Sequence, residues 1–149
     1  MQAIIDAILR QIENIRARLE RLETRETTSA AYTLNGIAVF SFDGSLLAAT
    51  GKLRLYNQTG RSVTISEVYC ACSTAPTTNA IIVDIHKGGV TIFTNQAHRP
   101  EIAAAANAGN STTIDVATWA DGEYLTCNLD QVGVAGGTGS DLTVHVVFS

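Results

Sequence analysis

Two titratable side chains on one predicted strand are the first candidates for chemistry. Asp84 and His86 are separated by one residue within AIIVDIHK (80–87), so both point to the same face of an extended strand. A carboxylate in that position can orient an imidazole for acid–base work. The sequence places no Ser or Cys nucleophile in a G-x-S-x-G turn, however. We therefore expect a solvated or inter-subunit strand face, and we predict no catalytic residues and no enzymatic activity.

Three cysteines are the next candidates, because thiolates can bind metals. Cys70 and Cys72 lie one residue apart on a predicted strand, where they share a face, and Cys127 lies on another strand. Structural zinc sites use four ligands at C-x-x-C or H-x-x-x-H type spacings, which these cysteines do not match. We predict buried free thiols that act as small hydrophobic residues, with no metal and no cofactor.

Aromatic residues that could stack on a sugar are scattered along the chain. They are Tyr56, Tyr69, Trp119 and Tyr124. Single aromatic residues on strands and turns belong more often to a core than to a sugar platform. We therefore expect these side chains to be buried.

The charge distribution argues against two classes of partner. The net charge is −4, and residues 1–26 carry equal numbers of acidic and basic residues, so the excess belongs to the remainder. No basic stripe is present, which makes nucleic acid an unsuitable partner. The sequence shows no targeting or lipidation motif and no transmembrane segment, so we expect no membrane insertion.

The elements that must position these residues are mostly strands. Alternating apolar and polar residues, bounded by turn signals, predict about eight of them in 37–149. They are IAVFSF (37–42), KLRLYN (52–57), SVTISEVYCAC (62–72), AIIVDIHK (80–87), VTIFT (90–94), STTIDV (111–116), EYLTCNLDQV (123–132) and DLTVHVVFS (141–149). The segment EIAAAANAG (101–109) fits a short helix or a loop. The predicted head domain is a jelly-roll-like antiparallel β-sandwich spanning 37–149.

The first 25 residues follow a different pattern. Apolar residues recur at spacings of three and four, which is the a/d repeat of a coiled coil. This seam consists of Ile5, Ile8, Ile12, Ile15, Leu19 and Leu22. An amphipathic helix packed on its own domain is the alternative, but such helices usually show a wider apolar face. We predict a coiled-coil stalk over 1–25, followed by a linker over 26–36.

The identity of the seam residues indicates the number of strands. Isoleucine fills both a and d positions in the first two heptads, and this composition favours three or four strands over two. We predict a parallel homotrimer, with a tetramer as the alternative.

Near the start of the helix the apolar stripe widens. Ile4 occupies a g position and Leu9 an e position, whereas the later g and e positions are polar. Two such side chains per chain would form an apolar collar on a trimer, and a collar of this kind usually marks a docking surface. The alternatives are that they thicken a fraying helix end or favour a larger oligomer.

The globular part also resembles a known class of proteins. The resemblance covers about residues 51–148 and rests on GKLRLYNQTGRSVTISEV (51–68), TAPTTNAIIVDIHKGGVTIFT (74–94), NQAHRPEIAA (95–104), DGEYLTCNLDQVG (121–133) and GSDLTVHV (139–146). These segments resemble virion proteins of tailed bacteriophages, in which such a β-sandwich head recurs in fibres, spikes and head-decoration proteins.

The resemblance implies a non-enzymatic, homotrimeric structural component of a phage particle. Its partners would be capsid or tail proteins, and its location the virion, assembled in the host cytoplasm. The alternative is a receptor-binding module at a tail-fibre tip that recognises a host cell-surface glycan.

Overall fold

The computed structural model describes the backbone of residues 1–23, 30–34 and 36–149, and the side chains of residues 1–18 and 36–149. Within these ranges the chain forms an N-terminal α-helix, a short 3-10 helix (Gln96–His98) and eleven strands, which are arranged as two antiparallel sheets. The prediction of a mainly β, antiparallel fold preceded by a helix is therefore confirmed. The strand count exceeds the predicted eight because the structure adds strands at Ala30–Leu34, Glu101–Ile102 and Thr118–Trp119.

The helix α1 spans Gln2–Glu23. Its residues are mostly good helix formers such as Ala, Leu, Arg, Gln and Glu, and neither Gly nor Pro interrupts them. Twenty-two residues at about 1.5 Å each make a rod of about 33 Å. Among the predicted seam residues, the side chains of Leu19 and Leu22 lie outside the described residues.

The strands divide into two sheets. Their bounds are β1 (Ala30–Leu34), β2 (Ile37–Ser45), β3 (Leu55–Tyr56), β4 (Val63–Thr74), β5 (Ile81–Lys87), β6 (Val90–Thr91), β7 (Glu101–Ile102), β8 (Ala108–Ser111), β9 (Thr118–Trp119), β10 (Tyr124–Gln131) and β11 (Ser140–Phe148). Sheet A has six strands in the order β1-β2-β11-β4-β8, with β9 also paired to β4. Sheet B has five strands in the order β3-β10-β5-β6, with β7 also paired to β5.

Side chains from both sheets form one hydrophobic core. Sheet A contributes residues such as Phe40, Val68 and Val144, and sheet B contributes Ile85 and Leu125, each at most 2% exposed. In β5 and β10 the apolar core residues alternate with residues on the opposite face, some of which are also buried; the core residues are Ile81, Val83, Ile85, Leu125, Cys127 and Leu129. That alternation gives each sheet a face turned away from the core, which we call its outer face.

The faces of β4 differ from the prediction. Val63 and Ile65 are buried as expected, but after them Val68, Cys70 and Cys72 are buried, while Tyr69 is exposed. The cause is a β-bulge: Val147 of β11 pairs with Glu67 and Phe148 with Ile65, so Ser66 is an extra residue. Unbroken alternation along SVTISEVYCAC (62–72) predicts that Val63, Ile65, Glu67 and Tyr69 share one face, and this prediction is wrong beyond Ile65.

Residues 101–116 also differ from the prediction. The segment predicted as a helix or loop (101–109) has β7 at its start, a turn in which Ala106 N–H donates to the Ala103 carbonyl, and the beginning of β8 at its end. The strand predicted at 111–116 lies earlier in the chain, because the observed strand β8 spans Ala108–Ser111. A Cβ at Gly109 would collide with the Glu101 carbonyl, so this backbone approach requires glycine.

A further difference concerns the segment that was predicted as a linker (26–36). It contains β1, which pairs along its length with β2, from Ala30 opposite Ser41 to Leu34 opposite Ile37. An edge strand of five residues gives little sequence signal, because a helix or loop of small polar residues fits the same composition.

Candidate functional site

The apolar face of α1 is uncovered in the single chain. The described seam side chains are between 42% and 55% exposed; they are Ile5, Ile8, Ile12 and Ile15. Every described helix side chain is exposed, so no other described part of the chain covers this stripe. Apolar side chains in such a row usually become buried by association.

The two residues of the predicted docking collar are also exposed. Ile4 is 63% exposed and Leu9 is 52% exposed, and both lie beside the seam rather than within it. With the four described seam residues, they form an exposed apolar surface along the described part of α1. The predicted collar itself requires several chains and stays a prediction.

A polar cluster lies on the outer face of sheet B, and it contains the predicted Asp84–His86 pair. The two side chains share a strand face, as predicted, with Asp84 Oδ2 at 3.2 Å from His86 Nε2. Thr91 donates to the other carboxylate oxygen at 2.7 Å. Asn128, opposite Asp84 on β10, places its Nδ2 at 3.1 Å from His86 Nε2. Asp84 and Asn128 are 3% and 6% exposed, although they face away from the core.

The orientation of this cluster follows from its hydrogen bonds. The Gly51 N–H donates to Asn128 Oδ1 at 2.8 Å, which leaves the Asn128 amide nitrogen facing the histidine. The other ring nitrogen of His86 lies 3.2 Å from the Gly89 carbonyl, which accepts from a protonated Nδ1. The Asp84–His86 contact is a hydrogen bond when either Asp84 Oδ2 or His86 Nε2 carries a proton.

Burial controls the protonation of the carboxyl group. It raises the pKa of Asp84, while the hydrogen bond from Thr91 and the nearby His86 partly oppose that rise. A carboxyl with a raised pKa beside an imidazole resembles an acid–base pair. The hydroxyl at this cluster, that of Thr91, donates to Asp84 and not to His86, so it is not an activated nucleophile. These hydrogen bonds link β5 to β6 and β10.

The three cysteines are buried free thiols, as the sequence predicted. Cys70 and Cys127 are at most 1% exposed, and Cys72 is 7% exposed. Burial raises the pKa of Cys70 to about 12 and raises the pKa values of Cys72 and Cys127, which keeps the thiols protonated and unreactive. No three His, Cys, Asp or Glu side chains in the described part of the chain are grouped to hold a metal ion.

The aromatic residues do not all lie in the core, which corrects the sequence prediction. Trp119 is buried, and its indole N–H donates to the Glu123 carbonyl at 3.0 Å. Tyr56 and Tyr69, in contrast, are 43% and 36% exposed, and they lie on different sheets.

Tyr56 and Tyr124 face each other across the pairing of β3 with β10, with ring centroids 5.5 Å apart. Arg54 lies over the Tyr124 ring at 4.4 Å, a cation–π contact. We call these three residues the tyrosine cluster. No local pattern in the sequence signals it, since the contact depends on the register between two distant strands.

Among the described residues, no helix combines the length and the apolarity needed to cross a lipid bilayer. No protein-family model matches the chain, and no curated protein matches it either.

Proposed function

We propose that this chain is a non-enzymatic structural protein of a tailed-bacteriophage virion. It acts as a homotrimeric fibre, spike or capsid decoration that is anchored by its N-terminal helix and displays a β-sandwich head. Its partners are capsid or tail proteins, and it resides in the virion after assembly in the host cytoplasm.

The observation that carries this proposal is the isoleucine stripe on α1. A buried aliphatic side chain stabilises a structure by about 1.5–3 kcal/mol relative to an exposed one, and at Ile5, Ile8, Ile12 and Ile15 that stabilisation is not obtained within the single chain. An isolated helix of this length is marginally stable in water. Association of α1 with copies of itself buries the stripe and stabilises the helix at once.

The trimer follows from the residue types at the seam. Isoleucine at both a and d positions disfavours a two-stranded coiled coil. A helix packed on its own domain would have covered its apolar face, whereas the described side chains of α1 are all exposed. A parallel coiled coil places the three heads on one side of the stalk, as display requires.

The strand order supports a jelly-roll head. The central strands follow β2-β11-β4-β8 in sheet A and β3-β10-β5-β6 in sheet B, so each sheet combines early and late strands of the chain. Eight strands paired in this way form the double-sheet jelly roll that is used by viral capsid proteins and by lectins. Because one fold serves many functions, this order supports a virion or a lectin-like role equally.

Light scattering of the purified protein tests the trimer. At micromolar concentration we expect three times the chain mass of 15.8 kDa. Ile12→Asp, at the seam, should reduce the mass to that of one chain, because it places three carboxylates at the helix axis. Arg10→Asp, on the outward side of the same turn, is the matched control and should stay trimeric. A single-chain mass for the unmodified protein would overturn the proposal.

Incorporation into particles tests the anchor. The double variant Ile4→Lys with Leu9→Gln should remain trimeric but be missing from purified virions, because it removes the exposed apolar side chains beside the seam. Asp6→Lys with Glu13→Gln alters outward positions and should be incorporated normally. Normal occupancy of the Ile4 and Leu9 variant would place the anchor elsewhere, on the β domain.

The second candidate function is a receptor-binding module that recognises a host cell-surface glycan. The observation that favours it is the tyrosine cluster, where exposed Tyr56 lies beside Tyr124 and the Arg54 guanidinium. Aromatic rings and an arginine are the groups that recognise sugar faces and carboxylates. Binding of the trimer to a glycan array, lost with Tyr56→Ala, would establish this function. No binding above background would exclude it for the glycans on the array.

A further inference from the structure

The two sheets present outer faces of different chemistry. Along the paired stretches 37–41 of β2, 143–147 of β11 and 67–71 of β4, register and burial define nine outward positions. Glu67 is the only one of these nine described residues with a formal charge. Of the other eight, one is a tyrosine, one is a histidine and the rest are small or apolar. Six of the nine form the main part of the surface, namely Ile37, Val39, Tyr69, Ala71, His145 and Val147.

The centre of this surface, which we call the sheet A face, is an aromatic pair. Tyr69 and His145 are opposite each other in the register of β4 with β11, and their rings lie 6.0 Å apart. On the other side of His145 lies Val39, which is already only 5% exposed. A half-exposed aromatic residue among small apolar neighbours, in a region depleted of charge, is the composition of an interface core.

The outer face of sheet B lacks these properties. Its central positions hold Asp84, His86 and Asn128, whose polar groups are bonded to one another and to Thr91 and Gly51. This network is already largely buried and bonded within the chain, so a second protein that covered it would gain little apolar burial. Between the two outer faces, the sheet A face is the one suited to an apolar contact.

The connection to the helix determines which protein reaches this face first. Helix α1 ends at Glu23 and β1, the edge strand of sheet A, begins at Ala30, so seven residue steps span at most about 25 Å. A domain of about 115 residues has a radius of gyration of about 13 Å. Three heads tethered this closely to one coiled coil meet each other at a high effective concentration.

We propose that the sheet A face, centred on Tyr69 and His145, is the contact between neighbouring copies of this chain in the homotrimer. This inference rests on the proposed trimer and adds where the three heads touch. The partner is a second copy, because the tether brings copies together and because a face with a single formal charge, that of Glu67, repels its copies only weakly.

Thiol labelling of the full chain tests the contact. Tyr69→Cys introduces a thiol on the sheet A face, and Tyr56→Cys, a matched control, introduces one on sheet B, where the tyrosine has similar exposure. The three natural thiols are buried and contribute little background. In the trimer, the thiol at position 69 should react with a maleimide more slowly than that at position 56 by on the order of tenfold or more.

A second background makes the protection specific to assembly. Combining each variant with Ile12→Asp, which separates the chains, should raise the rate at position 69 to that at position 56. Ala71→Cys serves as a second reporter in case Tyr69→Cys weakens the contact, and near-native circular dichroism shows that each variant is folded.

The outcomes distinguish this inference from the proposal on which it rests. A trimeric mass with equal labelling rates at positions 56, 69 and 71 would overturn the contact and leave the trimer intact. A single-chain mass for the unmodified protein would overturn both. Slow labelling at position 69 that persists in the Ile12→Asp background would also overturn the contact, because the protection would then come from within one chain.

Discussion

Isoleucine occurs in two regions of this molecule under opposite conditions. In the β domain, Ile65, Ile81, Ile85, Ile92 and Ile102 are at most 1% exposed. On α1, Ile5, Ile8, Ile12 and Ile15 are 42% to 55% exposed. The β domain thus buries these isoleucines in its own core, whereas no described part of the chain covers those of the helix.

This difference separates folding from assembly. The core of the β domain depends on contacts within one chain, so its stability should not depend on protein concentration. In the proposed trimer the helix obtains its burial from association, so its stability should follow the law of mass action. The same substitution should therefore have different consequences in the two regions, and three sets of variants can measure them.

The largest effect is expected in the core. Ile85→Ala removes a side chain that is completely buried on β5 and leaves a cavity between the sheets. The free energy of unfolding of the β domain should fall by about 2–5 kcal/mol. Chemical denaturation followed by tryptophan fluorescence reports this change, because Trp119 lies in the same core. A midpoint that varied with protein concentration would contradict the distinction between the two regions.

The matched substitution on the helix should affect assembly instead. Ile12→Ala is the same chemical change at a seam position, and alanine preserves helix propensity. The unfolding free energy of the β domain should change by less than about 0.5 kcal/mol, as for other surface substitutions. The apparent mass should fall on dilution at concentrations where the unmodified protein remains trimeric. Sedimentation equilibrium measures this, and an unchanged association constant would contradict the seam assignment.

A smaller effect, dependent on pH, is expected on the outer face of sheet B. The pKa of Asp84 is raised in the folded protein, mainly by burial, so its contribution to stability is greatest at low pH. That contribution is lost as pH rises from the ordinary aspartate pKa through the raised one. The variant Asp84→Asn has no ionisable group at this position, so it does not lose stability in this way as pH rises. Its amide can still form hydrogen bonds to Thr91 and His86.

Denaturation of the two proteins from about pH 4 to pH 7 provides the measurement. The unfolding free energy of Asp84→Asn relative to the unmodified protein should increase with pH over this range. Asp43→Asn, at an exposed carboxylate, is the control and should show no comparable trend. A relative stability that decreased with pH would show that the carboxylate is stabilised by His86 more than burial disfavours it.

The fold was predictable where local pattern and burial agree. Strands β2, β5, β10 and β11 were recognisable from their apolar residues and turn signals, and most of their core positions follow from the sequence. The bulge at Ser66 was not predictable, because a single extra residue is decided by pairing with β11. The alanine-rich segment before Gly109 favours a helix by propensity, but edge pairing with β4 and β5 prevails there.

The candidate sites show the same division. The Asp84–His86 contact was predictable because residues two apart on a strand share a face. Asn128 and Gly51 were not, since the register between distant segments brings them to that pair. The apolar stripe on α1 was recognisable from heptad spacing alone, because such a repeat is local, and its burial in a coiled coil stays a prediction.

The position of β11 has a consequence for the order of events during synthesis. This strand lies between β2 and β4 in the middle of sheet A, although it comes after every other described strand in the chain. A nascent chain that ends before Ser140 lacks the central strand of that sheet, so β2 and β4 each have one edge without its partner. The helix leaves the ribosome long before. In the proposed trimer, chains translated from one messenger can therefore associate through their helices while the heads are still incomplete, so that each head closes beside its future neighbours.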